Sequence, residues 1–393
     1  MPFYRAVGAL PPKRHVQFRS PEGRLYREEE IGKEGFSSDF AILYHNNAPT
    51  DVVSIDTWEL PDQESRPNNP LVPRLLYTHK LDQGGDAVLS RRLLAANSDL
   101  RVSYVVADRP SPLYRNVSGD ELYFVESGQA RVETVFGVLE VGALDFVVMP
   151  RAVIHRVVPV GEEPLRLLIS EARGSVRTPR RYLSDQGQFL EHSPYNERDL
   201  RAPAEPFVVD EGGDVDVYVR HRHGGTRYTY ANHPFDVVGW DGCLYPYAFD
   251  MAEFQPYTNR LHQPPTNFQA FEAPGFVVCA AVPHATEYHP DAVPVPGAHT
   301  NVDSDELLFW TEAAGGARSG HGINAGAITW HPGGFTHGPR AGELERAVAA
   351  YQPGVIEMRD MWAVMIDTFQ PLEVGEAALA CENGSYLSSW RGA

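Results

Sequence analysis

His299-Thr-Asn301-Val-Asp-Ser-Asp305-Glu306-Leu-Leu-Phe-Trp310, and then Gly326-Ala-Ile-Thr-Trp-His331-Pro332-Gly-Gly334-Phe-Thr-His337-Gly-Pro339, carry the architecture of this 393-residue chain. Each segment holds a short apolar run, Leu-Leu-Phe-Trp or Ala-Ile-Thr-Trp, bounded by polar, Gly or Pro punctuation, which is the pattern of a short strand entering and leaving a turn. The same text recurs earlier as RNVSGDELYFVESG (115–128) and MPRAVIHRV (149–157). In both halves an Asn is followed five residues later by a Glu and an aromatic-rich strand. Pro-x-[Ala/Gly]-x-x-His then follows about thirty residues on. A duplicated β-barrel explains this most economically, because a repeat spaced this widely marks a repeated structural unit.

Around these segments the chain divides into four parts. Residues 1–100 are irregular and Pro-rich, with short β-like runs such as DVVSIDTWEL (51–60), and read as an N-terminal segment wrapping the rest. Residues 101–200 form the first barrel. Residues 201–239 read as a linker that includes strand-like VDVYVRHRH (215–223), and 240–393 form the second barrel with a C-terminal tail. The expected strands of the second barrel are FVVCAAVP, ELLFW, GAITW and AVAAYQP, while MWAVMIDTFQPL suits a strand or a packed helix equally. The many turns implied by 34 Gly and 32 Pro agree with an all-β class.

The formal charge of −18 opposes a nucleic-acid partner, although a single local arginine can still bind a small carboxylate on an acidic protein. No run of about 18 apolar residues is present to span a membrane, and MPFYRAVGALPPKRH has no apolar secretory core. A cytoplasmic location is expected. Cys243, Cys279 and Cys381 are scattered and odd in number, which suits reduced thiols better than disulfides or a Cys-based zinc site.

Two imidazoles and a carboxylate on one face of a metal leave other positions open, and this donor set is characteristic of non-haem Fe(II) oxygenases; catalytic zinc can use the same ligand types. His299, Glu306 and His337 supply that set. Asp305 lies beside Glu306, but strand alternation turns only one of the two inward, and Glu306 is the residue in register with Glu121 of the first unit. The first unit offers Asn116, Glu121 and His155 with Tyr114 in place of a leading histidine, and reads as a barrel that has lost its metal. His221, His223, His284 and His289 lack carboxylate or Pro-Gly-His partners at ligand spacing and read as structural.

These motifs resemble those of the cupin superfamily. Gly326, Pro332, Gly334 and His337 fit its second motif at every spacing, and His299, Asn301 and Glu306 fit its first with Asn for the second histidine. Longer strings resemble the homogentisate 1,2-dioxygenase family, particularly its shorter bacterial branch: KRHVQFR (13–19), EGFSSDFAILYH (34–45), DVVGWDGCLYPYAFD (236–250) and LHQPPTNFQAFEAP (261–274). The resemblance implies an Fe(II) enzyme that uses O2 to open homogentisate to maleylacetoacetate in tyrosine and phenylalanine breakdown, assembled as a trimer or hexamer. It implies iron on His299, Glu306 and His337, His262 as acid or base on the substrate hydroxyl, and His331 bonded to the substrate. Asn301 is grouped with the substrate-facing residues. The family's tyrosine before the first iron histidine is replaced here by Gly297, leaving Arg318 as the nearby cation able to hold a substrate carboxylate. Other readings of the same residues are a dioxygenase for another hydroquinone or gentisate-like acid, a non-catalytic binding bicupin, and an isomerase or hydrolase using Zn2+ or Mn2+.

Overall fold

Alternation along one strand of each half organises the molecule. The computed structural model describes residues 3–60, 64–81, 84–209, 211–312 and 322–390. In the strand Asp305–Trp310, Glu306, Leu308 and Trp310 line a cavity, while Phe309 points the other way onto Tyr104 and Phe124, with ring centroids 6.3 and 6.1 Å away. The neighbouring strand Ala327–His331 repeats the division. Thr329 and His331 face the cavity, and Trp330 is fully buried on the opposite side. A period of two residues is what an extended chain imposes, so one apolar run serves both the cavity wall and the core.

The expected all-β duplicated barrel is the fold observed. The second barrel is built on a six-stranded antiparallel sheet in the order Gln269–Ala273, Phe276–Ala281, Ala363–Thr368, Asp305–Trp310, Ala327–His331, Arg74–Tyr77. The first barrel is built on two larger sheets, one through Asp145–Met149, Glu121–Ser127, Leu165–Ala172 and Leu100–Ala107, the other through Gln129–Thr134, His155–Val160 and Leu113–Asn116. Phe309, Phe124 and the Phe146–Phe271 pair at 5.4 Å belong to one hydrophobic cluster joining the barrels. Burying a Phe contributes roughly 1.5–3 kcal/mol. These few rings therefore hold the two barrels as one body.

Several boundaries differ from the expected ones. Residues 201–239, expected as a linker, carry the hairpin Gly212–His221 and Gly224–Asn232, and its first strand runs parallel to Leu113–Asn116 within a first-barrel sheet. Val215, Val217 and Val219 alternate with polar residues, and Val217 and Val219 are buried, so this segment pays its ordering entropy through strand pairing and one-face burial. Residues Tyr247–Asp250, expected in the second barrel, pair with Asp145–Met149 of the first. The N-terminal hundred residues are threaded into the sheets instead of wrapping outside them. Arg74–Tyr77 edges the second barrel, while Arg92–Ala96 joins the first. AVAAYQP, expected as a strand, belongs in part to the α-helix Glu343–Ala350, whose Glu-Leu-Glu-Arg-Ala-Val-Ala-Ala text is rich in strong helix formers. MWAVMIDTFQPL forms the strand Ala363–Thr368. Among the described residues no helix is long and apolar enough to cross a membrane.

Candidate metal centre

His299 and His337 face each other across an isolated antiparallel bridge. His299 N donates to His337 O at 2.9 Å, and His337 N donates to His299 O at 3.0 Å, which sets the two rings 4.2 Å apart. The close approach needs Gly338. Its φ is +146°, and a Cβ there would fall 2.7 Å from Ala298 Cα. Glu306 enters from the adjoining strand, and the ligand atoms of the three residues all lie within 4.8 Å of one another. Glu306 and His337 are buried, whereas half of the His299 side chain is exposed, so the cluster is open on the His299 side.

The ring nitrogens suit a cation. His299 Nδ1 lies 3.1 Å from Gly297 O and His337 Nδ1 lies 3.0 Å from Phe335 O, so each Nδ1 can carry the proton and leave Nε2 with its lone pair. His337 Nε2 is buried without a hydrogen bond, 3.3 Å from Glu306 Oε1 but not aligned on it. Burial alone would raise the Glu306 carboxyl, but His299, His331 and His337 outweigh it and hold the group well below the usual carboxylate range. The Glu306 carboxylate raises His299 in turn. An ionised carboxylate beside an orphaned imidazole nitrogen fits a divalent metal. Binding would release any proton held by His299.

Asp305 and Glu306 have opposite surroundings. Asp305 accepts from Gly333 N at 2.9 Å, Trp330 Nε1 at 3.1 Å and Leu372 N at 3.0 Å, so it ties strands and loop together on the core side. Asp367, paired with Glu306 across the sheet, is pushed up to about 7 by burial and by the Glu306 charge.

The other expected site residues are placed as follows. His331 lines the cavity and stacks on His337 at 3.8 Å, but its Nδ1 is 2.8 Å from Glu306 Oε1 and its Nε2 is 2.9 Å from Tyr386 Oη, so both nitrogens are engaged by the protein. Asn301 is not in the cavity wall. Its carbonyl accepts from Gly334 N at 2.8 Å, and its Nδ2 reaches Asp367 at 3.4 Å, clamping the loops that present His299 and His337. His262 is not brought to the cavity either. It stands exposed on the Pro264-Pro265 loop with Nδ1 2.9 Å from Glu287 Oε1. Arg318 lies outside the described residues.

The cavity beside the cluster measures about 400 Å3, within the range of small-ligand pockets. Trp310, Met358, Met361, Tyr386 and Trp390 make much of its wall. The last two arrive on the 3-10 turn Tyr386–Trp390, anchored where Asn383 N donates to Leu75 O and Trp390 Nε1 donates to Gly338 O. Neither they nor Arg359, also in the wall, stood out in the sequence, because a short turn and a two-residue strand carry no periodic signal.

The first barrel holds a different set of groups at the equivalent place. Tyr114 pairs with His155 as His299 pairs with His337. Arg91 reaches Glu121, the counterpart of Glu306, with two nitrogens at 2.8 and 3.1 Å, while Tyr114 and Asn116 donate to Glu121 Oε1 at 2.6 and 2.9 Å. Burial would raise Glu121, and the guanidinium holds it ionised instead. Burial also pushes His155 down to about 4, so this imidazole is neutral. A fixed guanidinium thus supplies the positive charge that a metal would bring.

Residues 96–251 match the family described as homogentisate 1,2-dioxygenase N-terminal. The chain is 36% identical over 398 residues, 99% of each chain, to a protein of Saccharolobus solfataricus named "Putative dioxygenase". It is 27% identical to homogentisate 1,2-dioxygenase of Pseudomonas syringae pv. tomato, covering 76% of this chain and 67% of that one. Against the same-named protein of Rhizobium rhizogenes it is 28% identical, covering 70% of this chain and 62% of that one. Solved structures that align include a cupin 2 conserved barrel domain protein from Leptotrichia buccalis, at 9% identity and TM-score 0.34 over 75% of this chain and 96% of that one. The match along its whole length makes the chain a member of the dioxygenase family of the Saccharolobus solfataricus protein, similar over residues 96–251 to the homogentisate 1,2-dioxygenases.

Proposed function

We propose that the second barrel binds Fe(II) through His299, Glu306 and His337 and opens the ring of homogentisate, with both atoms of O2 retained in the product maleylacetoacetate. The observation that carries this reading is the ligand triad at the end of a cavity sized for one aromatic ring, with an orphaned His337 Nε2 facing an ionised Glu306. Ferrous iron on such a set, when bound, supplies open positions where O2 and a phenolate oxygen can meet, together with the redox chemistry that joins them. The protein's own contribution is positional. The Trp310, Met358, Met361 and Trp390 wall holds the ring and keeps water away from it.

A phenolic proton leaves the substrate, and the Tyr386 hydroxyl beside His331 Nε2 offers a route for it. With His331 Nδ1 donating to Glu306, Nε2 accepts from Tyr386, whose oxygen then accepts from the substrate hydroxyl. The contacts of Tyr386 and His331 support a proton route through that pair, whereas His262 is exposed and bonded to Glu287. A gentisate-like or other hydroquinone acid is the second reading. It is favoured by Gly297, which stands where the resemblance implies a tyrosine and has no hydroxyl to offer a substrate.

Oxygen uptake by anaerobically Fe(II)-loaded protein, with homogentisate, gentisate and hydroquinone in parallel, separates these readings. Uptake equimolar with homogentisate, accompanied by a near-ultraviolet product and abolished in His337→Ala, is expected. Uptake with another hydroquinone alone transfers the reaction to that substrate, and no uptake with any of them refutes it.

A further inference from the structure

Arg359 is the single Lys or Arg among the described residues of the cavity wall. It sits on the two-residue strand Met358–Arg359, whose backbone is held along one edge by pairing with His284–Ala285. One guanidinium nitrogen, Nη2, donates to Pro294 O at 2.9 Å, which belongs to the same wall five residues before His299. Among the described residues no carboxylate lies within ion-pair distance of it. Glu287 acts on it only from further off, and burial lowers its affinity for its proton. Glu357 and Asp360, close to it in sequence, also line the cavity but are exposed and form no ion pair with it. A guanidinium carries five N–H donors in a planar fork, and one hydrogen bond to a carbonyl leaves most of them unused. Trp310 and Trp390 supply apolar surface in the same cavity.

We propose that Arg359 is the specificity-determining residue of this pocket, receiving the carboxylate of an aromatic acid whose ring lies against Trp310 and Trp390. The assignment rests on the ring-cleaving function proposed above and names the group that selects an acid over a neutral hydroquinone. It gives a described residue the role expected of Arg318. The Arg359–Pro294 bond fixes the fork next to the segment that leads into His299, so recognition of the acid and placement of the ring over the ligand cluster are coupled through one short stretch of chain.

The test is calorimetric titration of Fe(II)-loaded protein under argon with homogentisate and with its uncharged methyl ester. Wild type is expected to prefer the acid. Arg359→Ala is expected to weaken the acid about 10- to 100-fold, the range for a hydrogen-bonded charged group, and to leave the ester within about two-fold. Arg359→Lys is expected to recover part of the loss, keeping charge without the fork. Equal affinity of wild type for acid and ester, unchanged affinity in Arg359→Ala, or equal weakening of both ligands overturns the proposal. Admitting air separates the two levels. Selective loss without oxygen uptake by wild type leaves the anchor standing and refutes the reaction, while uptake with unchanged affinity in Arg359→Ala does the reverse.

Discussion

Two adjacent carboxylates divide the work at the centre of the second barrel. Glu306 meets three imidazoles and stays ionised for a metal, while Asp305 gathers three N–H donors from two loops and a neighbouring strand. Replacing Asp305 by Ala strands those donors in a buried place, and a loss of about 2–4 kcal/mol is expected by denaturant titration. Asp305→Asn should retain part of the stability. An unchanged Asp305→Ala midpoint would mean that the three bonds hold nothing together. The clustering of His299, Glu306 and His337 was legible in the sequence because strand alternation turns only one of Asp305 and Glu306 inward, and the register with Glu121 selects Glu306. His262 was misplaced because a Pro-rich loop says nothing of what it packs against. Arg359 and Tyr386 were missed because their approach to the cavity depends on contacts distant in sequence.

At the scale of elements, the strands that repeat between the halves were the readable ones. Glu121–Ser127 and Asp305–Trp310 both place a carboxylate on the inner face and a Phe on the face between barrels. Of the hairpin Gly212–Asn232 only the first strand was legible, as VDVYVRHRH; its Gly-rich text, and partners as distant in the chain as Leu113–Asn116 and Val52–Trp58, concealed its place in the sheet. Its location beside Leu113–Asn116 is set by a parallel pairing that no local signal encodes. Residues 343–350 went the other way. Val348 and Tyr351 suit a strand, but the alanines around Val348, with Glu343, Leu344, Glu345 and Arg346 ahead of them, favour a helix on an exposed surface, where packing does not override propensity.

Across the whole molecule, charge is neutralised inside the barrels by different means, and one consequence reaches stability. His45 ends the strand Phe40–His45, with Nδ1 2.6 Å from Asp236 and Nε2 3.0 Å from Glu29. Burial opposes its charge, but the two carboxylates prevail and raise it to about 9. A histidine raised on folding contributes stability that is complete below its unfolded value of about 6.5 and is lost as pH climbs through the folded one. Between about pH 6.5 and 9, wild type should therefore lose more stability than His45→Gln in parallel denaturation curves. Parallel losses would remove His45 as the cause.

Among the described residues one cluster could hold a metal: Arg91 fills the first barrel with a fixed cation, and the second keeps the open group His299, Glu306 and His337. Ferrous iron retained per chain after anaerobic loading and desalting tests that asymmetry most directly, measured in wild type, His155→Gln and Glu306→Gln. One iron per chain in wild type and in His155→Gln, with none retained in Glu306→Gln, is the predicted result; iron in both barrels, or iron that survives the loss of Glu306, would contradict it.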